Sequence, residues 1–294
     1  MKSGFVSLIG RPNVGKSTLI NTLVNKKIAI TSNKPQTTRN VIQGIYNEKD
    51  YQIVFVDTPG IHKPKNKLGR VLNKQAHSHI KDVDVVLFLV DASENFGMGD
   101  RFIMESLKHS DVPVILVLNK IDKITNEQII YKISEYRDIF PFAEIVPVSA
   151  YKKDNTERLI EVIKPYLTDE IKYYDNDMET SNSKYFMVSE LVREKLLDLT
   201  EQEIPHRITC MTTAYQETKD IIEISVDIIV DRDSIKRIVI GKQGHMLKTV
   251  GTRAREEIEL MLGKKIYLEL YVKTVSKWHD KEKYLNDLGF LENE

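Results

Sequence analysis

The sequence predicts an α/β unit built on a mostly parallel six-stranded sheet, followed by a smaller α+β unit. Three observations carry this. Residues 1 to about 170 alternate short apolar runs with amphipathic segments, the rhythm of strands returned by helices. Tyr173 to Ser183 is polar and nearly free of aliphatic side chains, as a linker is. Beyond it, two longer stretches alternate apolar and polar residues around a helical segment. The expected division is residues 1–172, a linker at 173–183, and residues 184–294.

Taken in order, Phe5–Ile9 suits a buried strand, and Lys16–Asn25 reads as a helix with Leu19, Ile20, Leu23 and Val24 on one face. Further strands are expected at Val41–Tyr46, Gln52–Val56, Val85–Val90, Val114–Leu118 and Ile145–Val148. A helix follows at Thr156–Tyr166, with Leu159, Ile160, Val162 and Ile163 inward. In the second unit Ser189–Leu199 reads as a helix. Ile222, Ile224, Val226, Ile228 and Val230 alternate, as do Ile266, Leu268, Leu270 and Val272, each series marking a half-buried strand. Between them lie Ile235–Ile240, the loop Gly241-Lys242-Gln243-Gly244, and a helix from His245 to Leu262. That helix places Met246, Leu247, Val250, Ala254, Ile258 and Met261 on one face.

The totals bound the function only loosely. With 294 residues there is room for two cores, and 41% apolar with 29% charged residues is ordinary for a globular chain. The 43 basic and 43 acidic residues cancel, so net charge points to no polyanionic partner. Distribution says more: Arg232–Lys283 holds 13 Lys/Arg against 7 Asp/Glu, while Asp175–Glu203 leans acidic. The one cysteine, Cys210, rules out an internal disulfide framework, suits a reducing cytosol, and reads as a small core residue. Met1-Lys2-Ser3-Gly4 lacks the layout of a signal peptide, and apolar runs such as Val83–Val90 are too short to span a bilayer.

Gly10-Arg11-Pro12-Asn13-Val14-Gly15-Lys16-Ser17 reads G-x-x-x-x-G-K-[ST] between a strand and a helix. There the backbone can close around phosphates, and the helix N-terminus adds N–H donors and a favourable dipole. Lys16 supplies a point charge for the β- and γ-phosphates, and the Ser17 hydroxyl, with Thr18 beside it, suits Mg²⁺. Asp57-Thr58-Pro59-Gly60 follows a strand, placing Asp57 to hold Mg²⁺ and the Gly60 N–H to sense the γ-phosphate. In the polar loop Thr31–Asn40, Thr38 in preference to Thr37 is the hydroxyl expected to close on Mg²⁺ when the γ-phosphate is present.

Asn119-Lys120-Ile121-Asp122 points to guanine. Asp122 would accept from N1–H and the exocyclic amine, a donor pattern that adenine lacks. Asn119 braces this loop, the Lys120 stem lies over the base, and Ser149-Ala150 completes the pocket with the Ala150 N–H placed to meet guanine O6. The position after Gly60 is Ile61, which cannot orient an attacking water as a glutamine does, so slow turnover and a switching role are expected. Asn13 either caps its loop or helps bind a monovalent cation such as K⁺.

Gly241-Lys242-Gln243-Gly244, between helical segments and followed by a strand, resembles a KH module, whose GXXG loop clamps nucleotides by their backbone. The surrounding basic excess includes Lys236, Arg237, Lys248, Arg253, Lys264 and Lys265. Trp278 and Tyr271 read first as core and second as stacking platforms for bases. Rival readings are a signalling GTPase whose second half binds protein or membrane, and an ATPase.

With both halves read, the chain resembles the Era family of bacterial GTPases essentially end to end. Gly10–Ser17, Gln36–Asn40, Asp57–Gly60, Asn119–Asp122 and Ser149–Tyr151 match that family's five nucleotide motifs in order. Pro59-Gly60-Ile61-His62-Lys63-Pro64 is similar to its second-switch run, and Glu203-Ile204-Pro205-His206 with the GKQG loop to its RNA-binding half. The resemblance implies a Ras-like P-loop GTPase domain followed by a prokaryotic-type KH domain, with GTP or GDP and Mg²⁺ as ligands. It implies RNA contacts at Ile240, Gly241, Lys242, Gln243, Gly244, Lys248 and His206. It also implies the 3′ end of 16S ribosomal RNA as the target and a role in maturing the small (30S) ribosomal subunit. Peripheral inner-membrane association is a family attribute. A cytoplasmic monomer with no DNA partner is expected.

Overall fold

The computed structural model describes residues 1–34, 37–60, 66–78, 82–108 and 110–291. The chain forms two compact units, one reaching to Ser181 and the other beginning at Asn182, with Ser32–Lys34 and Asn66–Leu68 grouped with the second.

In the first unit, strands β1 (Lys2–Gly10), β2 (Ile42–Glu48), β3 (Tyr51–Asp57), β4 (Val85–Asp91), β5 (Val114–Asn119) and β6 (Glu144–Pro147) make one sheet in the order β2-β3-β1-β4-β5-β6. Neighbours are parallel except β2 with β3. β4 and β5 are buried along their whole length. They read as unbroken apolar runs because both faces of a parallel sheet are covered. The covering helices are α1 (Lys16–Val24), α2 (Lys67–Ser78), α3 (Met98–Leu107), α4 (Asn126–Arg137) and α5 (Thr156–Ile163). Ile103, Met104 and Leu107 of α3 and Tyr136 of α4 pack with Phe88, Leu116 and Phe140.

The parallel register positions the site. Leu8 stands beside Asp57, Gly10 beside Leu89, Asp91 beside Asn119, and Leu118 beside Pro147. The loops after β1, β3, β4, β5 and β6 therefore leave one edge of the sheet, the edge where α/β folds bind ligands.

All six expected strands are present, with ends shifted by a few residues. The helix expected over 156–166 stops at Ile163 and continues as a 3-10 turn at Lys164–Tyr166. Pro165 lacks the N–H that the next α-helical bond requires. The segment expected as a linker is bound to the first unit through Ser181. Gln52, fully buried, accepts at Oε1 from the N–H groups of Tyr173 (2.8 Å) and Tyr174 (3.0 Å), and its Nε2 donates to the Tyr174 carbonyl (2.8 Å). Farther along, the Ile45 N–H donates to the Glu179 carbonyl at 2.9 Å, and Thr180 Oγ1 to the Gln43 carbonyl at 2.7 Å. The polarity of this stretch is that of a strap pairing with the edge strand β2.

In the second unit, β7 (Ile208–Glu217), β8 (Ile222–Val230) and β9 (Ile266–Thr274) form a sheet in which β7 runs antiparallel and β9 parallel to β8. The helices are α6 (Lys184–Leu199), α7 (Asp233–Ile240), α8 (His245–Leu262) and α9 (Glu282–Asp287). α6 starts five residues ahead of the expected Ser189, because Ser183 Oγ accepts from the Phe186 N–H at 3.2 Å and caps it. β7 was not anticipated: Thr209, Thr212 and Thr213 break the apolar alternation, and a bulge between Thr212 and Ala214 shifts its register. Cys210 is buried in it, as a small core residue.

Gln52→Leu preserves side-chain volume and removes the acceptor for two backbone N–H groups. It is expected to lower the unfolding free energy by about 1–3 kcal/mol and to speed hydrogen exchange at Tyr173 and Tyr174. Unchanged exchange there would show that Gln52 does not hold the strap.

Candidate nucleotide site and nucleic-acid interface

The helix N-terminus comes first. Gly15 is the N-cap of α1 with φ +102°, a left-handed conformation that favours glycine. A Cβ there would also lie 2.3 Å from Asn119 Nδ2. With no side chain to cap the helix, its first N–H groups stay available to an anion. Lys16 is buried, with Nζ 3.5 Å from the carbonyls of both Gly10 and Arg11.

Ser17 Oγ donates to Asp57 Oδ2 at 2.7 Å and lies 2.8 Å from Thr38 Oγ1, which is 3.3 Å from the same carboxylate oxygen. The three residues expected to hold a metal thus arrive from α1, from the loop before β2 and from the end of β3, and meet. Asp57 Oδ1 is buried with no hydrogen-bond partner among the described residues. An orphaned carboxylate oxygen beside two hydroxyls is a hard, all-oxygen donor set, which fits Mg²⁺. Burial pushes the Asp57 carboxyl above its ordinary range, with the Lys16 charge acting the other way. Burial likewise pushes the Lys16 ammonium down.

The guanine side is held by Asn119 at the end of β5. Its Nδ2 donates to the Val14 carbonyl at 2.8 Å, and its Oδ1 accepts from the Ala150 N–H at 3.0 Å. The expected brace is present. The Ala150 N–H, expected to face guanine O6, donates to Asn119 instead, because a buried amide oxygen needs a donor. Ser149 Oγ donates to Asp122 Oδ1, orienting an exposed carboxylate. Lys120 has a left-handed backbone, and its Nζ lies 2.6 Å from both the Asn13 carbonyl and Asp91 Oδ2.

The remaining expected residues divide. Val14 is buried, Thr18 lies in the first turn of α1, and Gly60 packs on Pro12, whose N a Cβ would meet at 3.0 Å. Arg11 pairs with Glu94 Oε2 at 2.6 Å and Asp100 Oδ1 at 2.9 Å. Thr58 Oγ1 donates to the Leu8 carbonyl at 2.9 Å, tying β3 to β1; Pro59 continues the loop. Ile61 lies outside the described residues, as do Gln36 and the run His62-Lys63-Pro64. Reasoning from sequence missed Asp91, Glu94 and Asp100. It also missed Thr22, whose Oγ1 donates to the Ala150 carbonyl at 2.9 Å. Asp91 did carry a signal: like Asp57, it is an aspartate closing an apolar parallel strand.

In the second unit, Gly241 ends α7 at φ +74° and ψ 174°, a region essentially confined to glycine. A Cβ there would lie 2.7 Å from the Met246 Cβ. The turn exposes Lys242 and Gln243. Beside it runs a groove of about 460 Å³ whose lining includes Gly244, Leu247, Lys248, Arg255, Leu268 and Leu270. Helix α8 contributes the charge and β9 an apolar wall. Ile240 is half-buried at the end of α7. His206 is not brought to this groove; it is half-buried in the turn Pro205–Arg207 ahead of β7. Trp278 is core, fully buried with Nε1 donating to the Arg207 carbonyl at 3.1 Å. Tyr271, read first as core, is exposed with its hydroxyl 3.0 Å from Glu269 Oε2. Strand alternation places it opposite Leu268 and Leu270.

Residues 5–120 match the family of 50S ribosome-binding GTPases, and residues 203–279 match the KH domain family. A crystal structure of an Aquifex aeolicus Era point variant bound to GDP·AlF4⁻ is 39% identical, covers 99% of each chain, and superposes with a TM-score of 0.96. The chain belongs to the Era family. A crystal structure of Era in complex with MgGDPNP and nucleotides 1506–1542 of 16S ribosomal RNA is similar to the same degree, at 39% identity over 99% of each chain and a TM-score of 0.96. The Era resemblance carried by the motifs, and the Ras-like GTPase plus KH fold it implied, are borne out.

The packing of Asn119 on Gly15 has a measurable signature. Asn119→Ala strips partners from the Val14 carbonyl and the Ala150 N–H, and is expected to lower stability by about 1–3 kcal/mol. Gly15→Ala should destabilise as well, and the double variant should lose less than the sum of the two. Full additivity in urea unfolding would show that these residues do not act together.

Proposed function

We propose that this Era-family GTPase is a slowly hydrolysing GTP switch that binds the 3′ end of 16S ribosomal RNA and assists assembly of the small ribosomal subunit. The observation that carries this furthest is the convergence of Ser17, Thr38 and Asp57 at the N-terminus of α1, beside a P-loop braced by Asn119 of the guanine motif.

The first N–H groups of α1 and the Lys16 ammonium bind the polyphosphate. Ser17, Thr38 and Asp57 hold Mg²⁺, which supplies positive charge against the phosphate oxygens. Because Thr38 belongs to the loop ahead of β2, its engagement ties that loop to the presence of the γ-phosphate. The Gly60 N–H, held against Pro12, takes part in the same recognition. Asp122, oriented by Ser149, accepts from guanine N1–H and the exocyclic amine. With isoleucine at position 61, no glutamine orients the attacking water there, so intrinsic turnover is slow. A potassium ion bound with the help of Asn13 is the candidate source of further charge in the transition state, and GTPase rates in potassium against sodium decide it.

The Era complex with 16S nucleotides 1506–1542 supports the RNA partner. In this chain the Gly241–Gly244 turn meets the RNA backbone, Lys242 and Lys248 supply charge, and bases lie along the Leu268–Leu270 wall. Action on the 30S subunit, a monomeric state, and cytoplasmic residence with peripheral contact at the inner membrane rest on the family resemblance. Among the described residues no helix is long and apolar enough to cross a membrane.

Lys16→Ala is expected to abolish GTP binding, and chelation of Mg²⁺ to weaken it in the parent chain; calorimetry reads both. Gly241→Asp should spare GTP binding and eliminate RNA binding. Lys242→Ala should weaken RNA binding across sequences and reduce the salt slope of the affinity by about 1. RNA affinity unmoved by Gly241→Asp would remove the KH assignment of this surface.

A further inference from the structure

We propose that Asp91, at the carboxyl end of β4, is a positioning residue for the nucleotide: it fixes the Lys120 ammonium over the P-loop and thereby sets how long guanine nucleotide stays bound. The inference rests on the GTP reading above and deepens it.

Asp91 is 5% exposed, and its two oxygens have separate tasks. Oδ2 lies 2.6 Å from Lys120 Nζ. Oδ1 accepts from the N–H of Ser93 at 3.0 Å and from its hydroxyl at 2.6 Å. The carboxylate is therefore held by its own turn while it holds the lysine. Burial opposes its charge, yet the hydrogen bonds from Lys120 and Ser93 keep its carboxyl below the ordinary range.

The Lys120 ammonium also donates to the Asn13 carbonyl at 2.6 Å. A Cβ placed on Gly15 would lie 3.9 Å from Lys120 Cε, so the lysine stem passes beside the P-loop glycine. One carboxylate thus fixes a side chain that touches the phosphate loop at Asn13 and belongs to the guanine motif. This turn and the start of α3 grip the P-loop a second time. Arg11 pairs with Glu94 and Asp100, and a Cβ on Gly99 would lie 2.7 Å from Arg11 Cδ. The end of β4, the turn after it and the first residues of α3, which carry no nucleotide motif, therefore tie down both Arg11 and, through Lys120, Asn13. A lysine with three donors on a flexible stem has no fixed direction of its own. Asp91 and the Asn13 carbonyl confer one, and a preorganised stem loses less freedom when it covers a base.

The test separates charge from turn. In Asp91→Asn an amide oxygen can still accept from Ser93, so the turn survives, while the ion pair to Lys120 is lost. Release of a fluorescent methylanthraniloyl-GDP·Mg²⁺ complex is expected to accelerate about tenfold, the worth of one hydrogen bond to a charged group. Lys120→Met should accelerate release similarly, and Asp91→Asn combined with Lys120→Met should be no faster than Lys120→Met alone. Preference for guanosine over inosine diphosphate should stay as in the parent, since Asp122 reads the 2-amino group. If Asp91→Asn does not fold, Ser93→Ala, which removes the hydroxyl bond to Oδ1 and keeps the N–H bond, replaces it. A smaller acceleration is then expected, again absent in the Lys120→Met background. Unchanged release in a folded Asp91→Asn variant, additive effects with Lys120→Met, or lost guanosine preference would each overturn the role. A parent chain that binds no guanine nucleotide would instead overturn the GTP reading itself.

Discussion

A single buried side chain joins the parts of the nucleotide site. The Asn119 amide donates to the P-loop at Val14 and accepts from the loop after β6 at Ala150, while its own backbone belongs to β5. Three loops that are distant in sequence are thereby held at one spacing. The arrangement exists because position 15 has no Cβ, which would meet the amide nitrogen at 2.3 Å. Glycine at that position serves the contact with Asn119 as much as the left-handed turn into α1. Buried amides must satisfy both ends, and here doing so builds the frame on which Lys16, Ser17 and Asp122 stand.

Within that frame the charges work against the stability of the fold. Lys16 and Asp57 are both buried, and burial disfavours the charged form of each. Asp57 Oδ1 finds no partner among the described residues. Such features are expected where a site is shaped for a ligand that brings its own charges, and local rules of packing are broken there. By contrast, Thr58, Thr22 and Gln52 are polar residues whose hydrogen bonds hold the protein to itself.

The second unit solves a different problem. A formally neutral chain binds a polyanion only if its charge is unevenly placed, and the basic excess of Arg232–Lys283 lies on and around α7, α8 and β9. The groove combines Lys248 and Arg255 on one side with Leu268 and Leu270 on the other. Backbone phosphates and unstacked bases need those two kinds of surface side by side. Tyr271, which the alternation of β9 sends to the opposite face, shows how one residue of register separates a groove wall from the outer surface.

Much of the protein was legible in its residues. Apolar runs located the six strands of the first sheet, and the period of His245–Leu262 located α8, because burial on a regular element imposes its repeat on the chain. The phosphate, metal and guanine motifs were readable because each is local, a few residues whose backbone and side chains must act together. What tertiary structure alone decided is how distant segments meet. It placed Asp91 against Lys120 and Arg11 against Asp100, gave the Ala150 N–H to Asn119, and turned the polar stretch after Tyr173 into a strap along β2. No periodicity announces such contacts. They arise because parallel strands bring their carboxyl ends to one edge, where buried polar groups from remote loops satisfy one another.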